Sequence, residues 1–266
     1  MPLKIQRYGW RRDTPDNRDL KAAHPEPVNG VMPELPESFS LRSLCPPPYD
    51  QKQLGACVSN ALAFAVDFQR AKQGLPPLAP PSRLFIYFNG RSVERGVAHE
   101  GETSDELADT GLMVRDGIKS VVAYGVCPES AWPYDPTMLR ARPPAACYTD
   151  AVTHKTLKYQ LVLQTVYGLK YQLAIKKIPV VFGFNVYKNF ESQKTAETGI
   201  MDMPKPWSRV IGGHCVALTG YDNARNAFEV RNSWGPDWGD HGYFWMPYDF
   251  AEDPDLADDF WEITLE

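Results

Sequence analysis

The sequence predicts an α+β protein with two packed halves, helices first and strands later. Between about residues 35 and 160, apolar residues recur near a 3.6-residue period. After about 178, β-branched and aromatic runs alternate with turn signals. Proline clusters at 46–48, 76–77, 80–81 and 143–144 separate these runs and read as element boundaries.

The first 34 residues are polar and aperiodic, and they read as an extended arm or a loose terminus. Tyr8 and Trp10 are its expected anchors, because an indole is costly to leave in water. The segment 57–73 has apolar or small residues at 57, 58, 61, 62, 64, 65 and 68, and Gly74 marks its stop. Ser82 is an N-cap for a helix starting at 83. A third helix is predicted over 112–124, between Thr110 and Gly125, and a fourth over 161–177. Strands follow at 179–186, 215–220, 227–231 and 242–246, with a hairpin turn at 222–226. The acidic run 249–259 reads as a solvated face with Phe250, Phe260 and Trp261 beneath it. No internal repeat is evident.

With 266 residues and 43% hydrophobic content, the chain can build one large domain or two lobes around a shared cleft. A net charge of −5 argues against a nucleic-acid partner. No apolar run reaches membrane-spanning length, so no membrane partner is expected. The start shows no Sec signal, and five cysteines leave at least one free thiol. Reduced thiols in the cytoplasm are therefore expected, with non-classical secretion left open. Cys45, Cys127, Cys147 and Cys215 have no CxxC spacing, so neither a metal nor another cofactor is expected.

Three local contexts carry chemistry. Cys57 opens a helix in the stretch Gln51-x-x-x-Gly55-x-Cys57. His214 follows Gly213, and Asn232 opens Asn232-Ser233-Trp234-Gly235. A thiolate is the attacking form of cysteine, and a helix N-terminus with a nearby imidazolium favours it. A cysteine with a distant histidine and asparagine is the pattern of a nucleophile. The alternative for a lone cysteine at a helix start is a small buried hydrophobe. His24, His99, His154 and His241 have no comparable context.

These blocks resemble those of the papain-like cysteine peptidases, peptidase family C1. The supporting residues also include Gly220-Tyr221, Trp238-Gly239 and Gly242-Tyr243. The resemblance spans roughly 35–250, with Leu35-Pro36-Glu37-Ser38 similar to the start of the mature domain. The Gln-x-Leu-Gly-x-Cys form with a short arm is most similar to bacterial members of the xylellain type. The resemblance implies a helical left lobe (about 50–160) and a β-barrel-like right lobe (about 161–266 plus 35–49), with the active site in the cleft between them.

It further implies a cysteine endopeptidase acting on peptide or protein substrates through a thiolate–imidazolium pair and an acyl-enzyme. Cys57 would be the nucleophile, His214 the acid–base, Asn232 its orienter and Gln51 the oxyanion-hole donor. Trp234 would shield the His214–Asn232 bond. Gly111 would pair with substrate backbone, and Leu112, Met113, Gly213 and Cys215 would contact substrate. An apolar or aromatic side chain is expected two residues before the scissile bond; the alternative is that the pocket residues are ordinary core. Val58 and Leu54 depart from the family pattern, which has tryptophan and cysteine there. In place of a long propeptide there is the arm 1–34, a short pro-like segment expected to lie along the cleft and act as the protein's own inhibitor. A monomer is expected. A catalytically silent or self-blocked binding module of the same fold is the alternative, and the intact Gln51, Cys57, His214 and Asn232 set favours the enzyme.

Overall fold

The computed structural model describes residues 8–23, 25–27, 30–76, 80–96, 108–152 and 157–265. His24, His99 and His154 lie outside these. The arm contributes β1 (Trp10–Arg11), and β2 (Ser38–Ser40) precedes the central helix α1 (Cys57–Lys72). Residues 57–70 of α1 are all buried. A helix apolar on most sides belongs inside a protein. It packs on α2 (Arg83–Glu94) and, beyond the strand pair β3 (Leu112–Met113), on α3 (Val114–Tyr124). Ser82 caps α2 by accepting the Phe85 N–H at 3.2 Å. Gly125 ends α3 at φ +73°, a backbone state that glycine takes freely.

The helix predicted over 112–124 therefore starts two residues late. Leu112 and Met113 are extended because they pair in parallel with Trp10 and Arg11 of the arm. The short α4 (Ala145–Ala151), which the sequence reading missed, closes the helical half.

The second half begins at β4 (Leu157–Leu161), slightly before the expected 161 boundary. The helix predicted over 161–177 shrinks to α5 (Val166–Ala174), capped by Thr165. Leu161 belongs instead to the strand β4, beside the C-terminal one. Then follow β5 (Val180–Tyr187), α6 (Gln193–Thr198), β6 (Val210–Asp222), β7 (Ala227–Arg231), β8 (Tyr243–Pro247), α7 (Tyr248–Glu252) and β9 (Ala257–Leu265). The sheet order is β4-β9-β5-β6-β7-β8, with β2 also paired to β6. The β6–β7 hairpin turns at 223–226, and Asn226 takes φ +51°.

The acidic run is not simply a solvated face. Its last residues enter β9 between β4 and β5, and Asp259 is only 5% exposed. The register of β5 against β9 slips between Val181 and Gly183, so Asp259 and Phe260 together oppose the single Phe182. Such a bulge re-aims a side chain.

An aromatic core joins the strands: Phe182 stacks on Phe260 at 4.7 Å, and Phe184, Phe190 and Phe244 meet edge to face. Arg231 donates to the Pro46 and Pro47 carbonyls at 2.6 Å and lies over the Phe64 ring, tying the 46–47 segment to α1. The arm continues past β1 to β4, where Ala22 N–H donates to Leu161 and Leu161 N–H donates to Leu20. All five cysteines are free thiols.

Candidate active site

Cys57 stands at the first turn of α1, where unpaired backbone N–H groups make a partial positive charge. It is completely buried. Burial pushes its thiol up to about 11, although backbone N–H groups of Cys215, Gly9, Val58 and Cys57 itself pull it down. Gly9 belongs to the arm and packs against Gly55, two residues before Cys57.

His214 lies in the middle of β6, opposite Phe184 of β5. Its Nε2 is 2.8 Å from Asn232 Oδ1, and that oxygen also accepts the Ser233 N–H at 2.8 Å. The second bond identifies Oδ1 as an acceptor, so Nε2 carries the proton and Nδ1 is bare in the neutral ring. Nδ1 is buried without a partner among the described residues. The ring is held between Trp234 at 5.0 Å and Phe184 at 5.7 Å, with Tyr8 of the arm at 6.2 Å. Burial lowers the imidazole pKa to about 4, partly offset by Asn232.

Gln51 sits where the two halves meet. Its Oε1 accepts from Ser233 Oγ at 2.7 Å, its Nε2 donates to Leu54 O at 2.9 Å, and its backbone N–H donates to Ser233 O. One amide N–H is thereby used and the other has no protein acceptor among the described residues. Sequence reasoning assigned no role to Ser233, which orients Gln51. Nor did it give the Asp109 carboxylate a role; that group accepts the Gly55 N–H at 3.1 Å and the Tyr87 hydroxyl at 2.5 Å. Tyr87 in turn accepts from Gly111 N–H at 3.0 Å, which joins the Cys57 loop to the Gly111 segment.

The residues predicted to bind substrate divide. Gly111, at φ +73°, is covered by the arm: a methyl group there would sit 2.3 Å from Gly9 O. Leu112 is not a pocket residue. Its side chain is buried against Gly90 and Gly117, on the helices, and only its N–H faces the arm, donating to Gly9 O at 2.7 Å. Met113 is half-buried, and its N–H donates to Glu94. Cys215 is fully buried, and burial first, with Cys57, Asp259 and Asp13 adding to it, raises its thiol. Gly213 lies under Trp10, and Trp234 packs on His214, Tyr8 and Phe190.

Tyr8 rests on Gly212, and its hydroxyl donates to Glu191. Trp10 is buried, and its Nε1 donates to Asp259 at 2.9 Å. The recess it fills is thus not wholly apolar.

A family model described as papain family cysteine protease matches residues 103–259. A peptidase C1-like protein of Acanthamoeba polyphaga mimivirus is 37% identical, over 96% of this chain and 86% of its own. The crystal structure of xylellain, a cysteine protease from Xylella fastidiosa, shares 38% identity. The alignment covers 97% of this chain and 96% of that one, with a TM-score of 0.83. A procathepsin L 3 of the Tenebrio molitor larval midgut, 19% identical, shares the fold over 94% of this chain and 76% of its own, at a TM-score of 0.65.

Proposed function

The chain belongs to the papain family of cysteine proteases and is a peptide hydrolase, and from that premise we propose an endopeptidase in which Cys57 attacks and the arm restrains the attack. The observation that carries this reading is the 2.8 Å bond from His214 to Asn232, which leaves Nδ1 bare, while the arm lays Tyr8 on the His214 ring and Gly9 on Gly55 just before Cys57.

In the reactive form, the Cys57 thiolate adds to the peptide carbonyl. The developing oxyanion takes the Cys57 backbone N–H and the uncommitted Gln51 amide N–H. His214, as imidazolium, passes its Nδ1 proton to the leaving amine, and a thioester acyl-enzyme remains. Water then attacks the thioester while His214 takes its proton. The acid product leaves, and the thiolate–imidazolium pair returns. Asn232 keeps the ring in the orientation and tautomer this cycle needs.

Arm restraint has an electrostatic side as well as a steric one. With Tyr8, Gly9 and Trp10 seated, burial holds the thiol protonated and the imidazole neutral, the opposite of the charged pair required. Water must reach both groups before they ionise, so the arm has to leave first.

Intact mass after incubation with a peptidyl epoxide tests the assignment. One adduct on the wild type and none on Cys57→Ala is the expected result. No adduct on the wild type, nor on a variant whose arm cannot seat, would favour a binding module over an active endopeptidase.

A further inference from the structure

The two N–H groups that would meet the oxyanion belong to separate stretches of chain, and one buried guanidinium reaches the backbone of both. Arg83 opens α2 and is buried. Its Nη1 directs its two hydrogens apart. Asp50 O accepts one at 3.1 Å, and Asn60 Oδ1 accepts the other at 3.0 Å. Asp50 O belongs to the peptide that enters Gln51, whose N–H donates to Ser233 O at 2.8 Å. Glu129 accepts Arg83 Nε and Nη2 at 2.9 and 2.7 Å, and the Tyr134 ring lies 4.0 Å from the guanidinium. Two parallel bonds and a ring fix the plane of the fork. Tyr134 also donates its hydroxyl to Gln51 O at 2.8 Å, so the peptides on both sides of Gln51 are held.

Asn60 carries the second direction to Cys57. A guanidinium can only donate, so the atom it meets is the amide oxygen, and Asn60 Nδ2 faces the other way. There it donates to Ala56 O at 2.8 Å. Ala56 O and the Cys57 N–H are parts of one planar peptide group, so this bond sets the direction of that N–H. The same carbonyl accepts Ser59 Oγ at 2.9 Å and the Asn60 backbone N–H at 3.1 Å. Donors on a peptide oxygen polarise the unit and make its own N–H a stronger donor. From Arg83 through Asn60 to the Cys57 N–H, every bond runs in one sense, from a cation toward the developing oxyanion. The helix needs none of this to form. Ala56 O already has its helical partner in the Asn60 N–H, and asparagine is a poor residue for a buried helix position.

We propose that Arg83 and Asn60 are positioning residues of the oxyanion hole. They hold the Gln51 backbone and the Ala56–Cys57 peptide at a fixed separation, and they strengthen the Cys57 N–H as a donor. Neither touches the substrate. The assignment rests on the endopeptidase reading and adds to it two residues outside the motifs that carry the family resemblance.

The test compares two reactions of Cys57 in the full chain. Cleavage of a peptide anilide builds negative charge on a carbonyl oxygen. Alkylation by iodoacetamide displaces iodide from a saturated carbon and builds none. Both need the arm to leave and the thiolate to form, so the ratio of kcat/KM to the rate of Cys57 alkylation isolates the hole. Asn60→Ala removes the bond to Ala56 O, and Arg83→Lys keeps the charge without the fork. Each should lower the ratio by at least about tenfold, part of the roughly 10²–10³ that loss of a whole donor costs, with alkylation unchanged. If one variant fails to fold, the other decides. An unchanged ratio in a folded variant overturns the proposal. So does a parallel fall of both rates, or failure of both variants to fold, since either marks a general structural role. A wild type that neither cleaves the anilide nor alkylates at Cys57 removes the endopeptidase reading instead, and the proposal with it.

Discussion

His214→Ala should lower kcat by about 10⁴–10⁶, the range seen when one member of a nucleophile–base unit is removed. The geometry leaves little to compensate. His214 carries an unpartnered buried ring nitrogen, and His241, the other histidine among the described residues, is exposed. Without an imidazolium the Cys57 thiol keeps an elevated pKa, so the thiolate fraction at neutral pH is small. The leaving amine also loses its proton donor. Because the two groups act together, adding Cys57→Ala to His214→Ala should cost almost nothing more. Asn232→Ala should cost less than either, since Trp234 and Phe184 still hold the ring. Turnover of a chromogenic peptide by each variant, with unfolding midpoints checked, measures these ratios. A loss under tenfold for His214→Ala would remove it from the chemistry.

Gly9→Ala should activate the enzyme. The added methyl would lie 1.8 Å from the Gly55 carbonyl oxygen, which is backbone and cannot turn aside. The cost falls on the seated arm, not on the site beneath it. Overpacking of this sort costs about 1–3 kcal/mol, or about 5- to 150-fold in the seated population. Epoxide labelling of Cys57 should accelerate correspondingly. An unchanged rate in a folded variant would show that the arm does not restrain access.

Acidity should act on the same equilibrium. Asp13 of the arm and Asp259 of the body are buried in one cluster. Burial first, and Asp259's charge next, raise Asp13 to about 7; burial first raises Asp259 to about 6, helped by Asp258. Arg115, Trp261 and the Arg115 N–H pull Asp13 down, and the Asp13 N–H, Trp10 and Arg12 pull Asp259 down. Both carboxyls are raised when the arm is seated, so the seated state holds more protons. Its stability is fully present below the ordinary carboxylate range and is lost as pH rises through about 6 to 7. Wild-type labelling should therefore rise more steeply with pH across that window than labelling of Gly9→Ala. Parallel profiles would exclude the carboxyl pair as a latch.

Much of this protein was legible in one dimension, for local reasons. The Cys57 helix announces itself by period and by Gly74. Ser82 caps its helix through a bond three residues away, and the Asn232–Trp234 block follows directly on β7. What escaped depended on partners far along the chain. Leu112 and Met113 have helix-compatible neighbours, yet they extend because the arm pairs with them about 100 residues away. Leu161 reads as the start of a helix, yet residues 157–161 form a strand because β9 is available to pair with them. Ser233 and Asp109 gain their roles only because the two halves close on Gln51 and Gly55.

The sequence by itself determined the family and singled out its candidate reactive groups, because a thiol, an imidazole and an amide each stand in a local setting that says how the backbone must run. Only the tertiary structure decided that Trp10 fills the recess beside them and that Asp259 is turned into it. Those facts follow from a one-residue slip between β5 and β9 and from the docking of the arm. Both are set by long-range pairing, and pairing partners leave no mark on the spacing of a single strand.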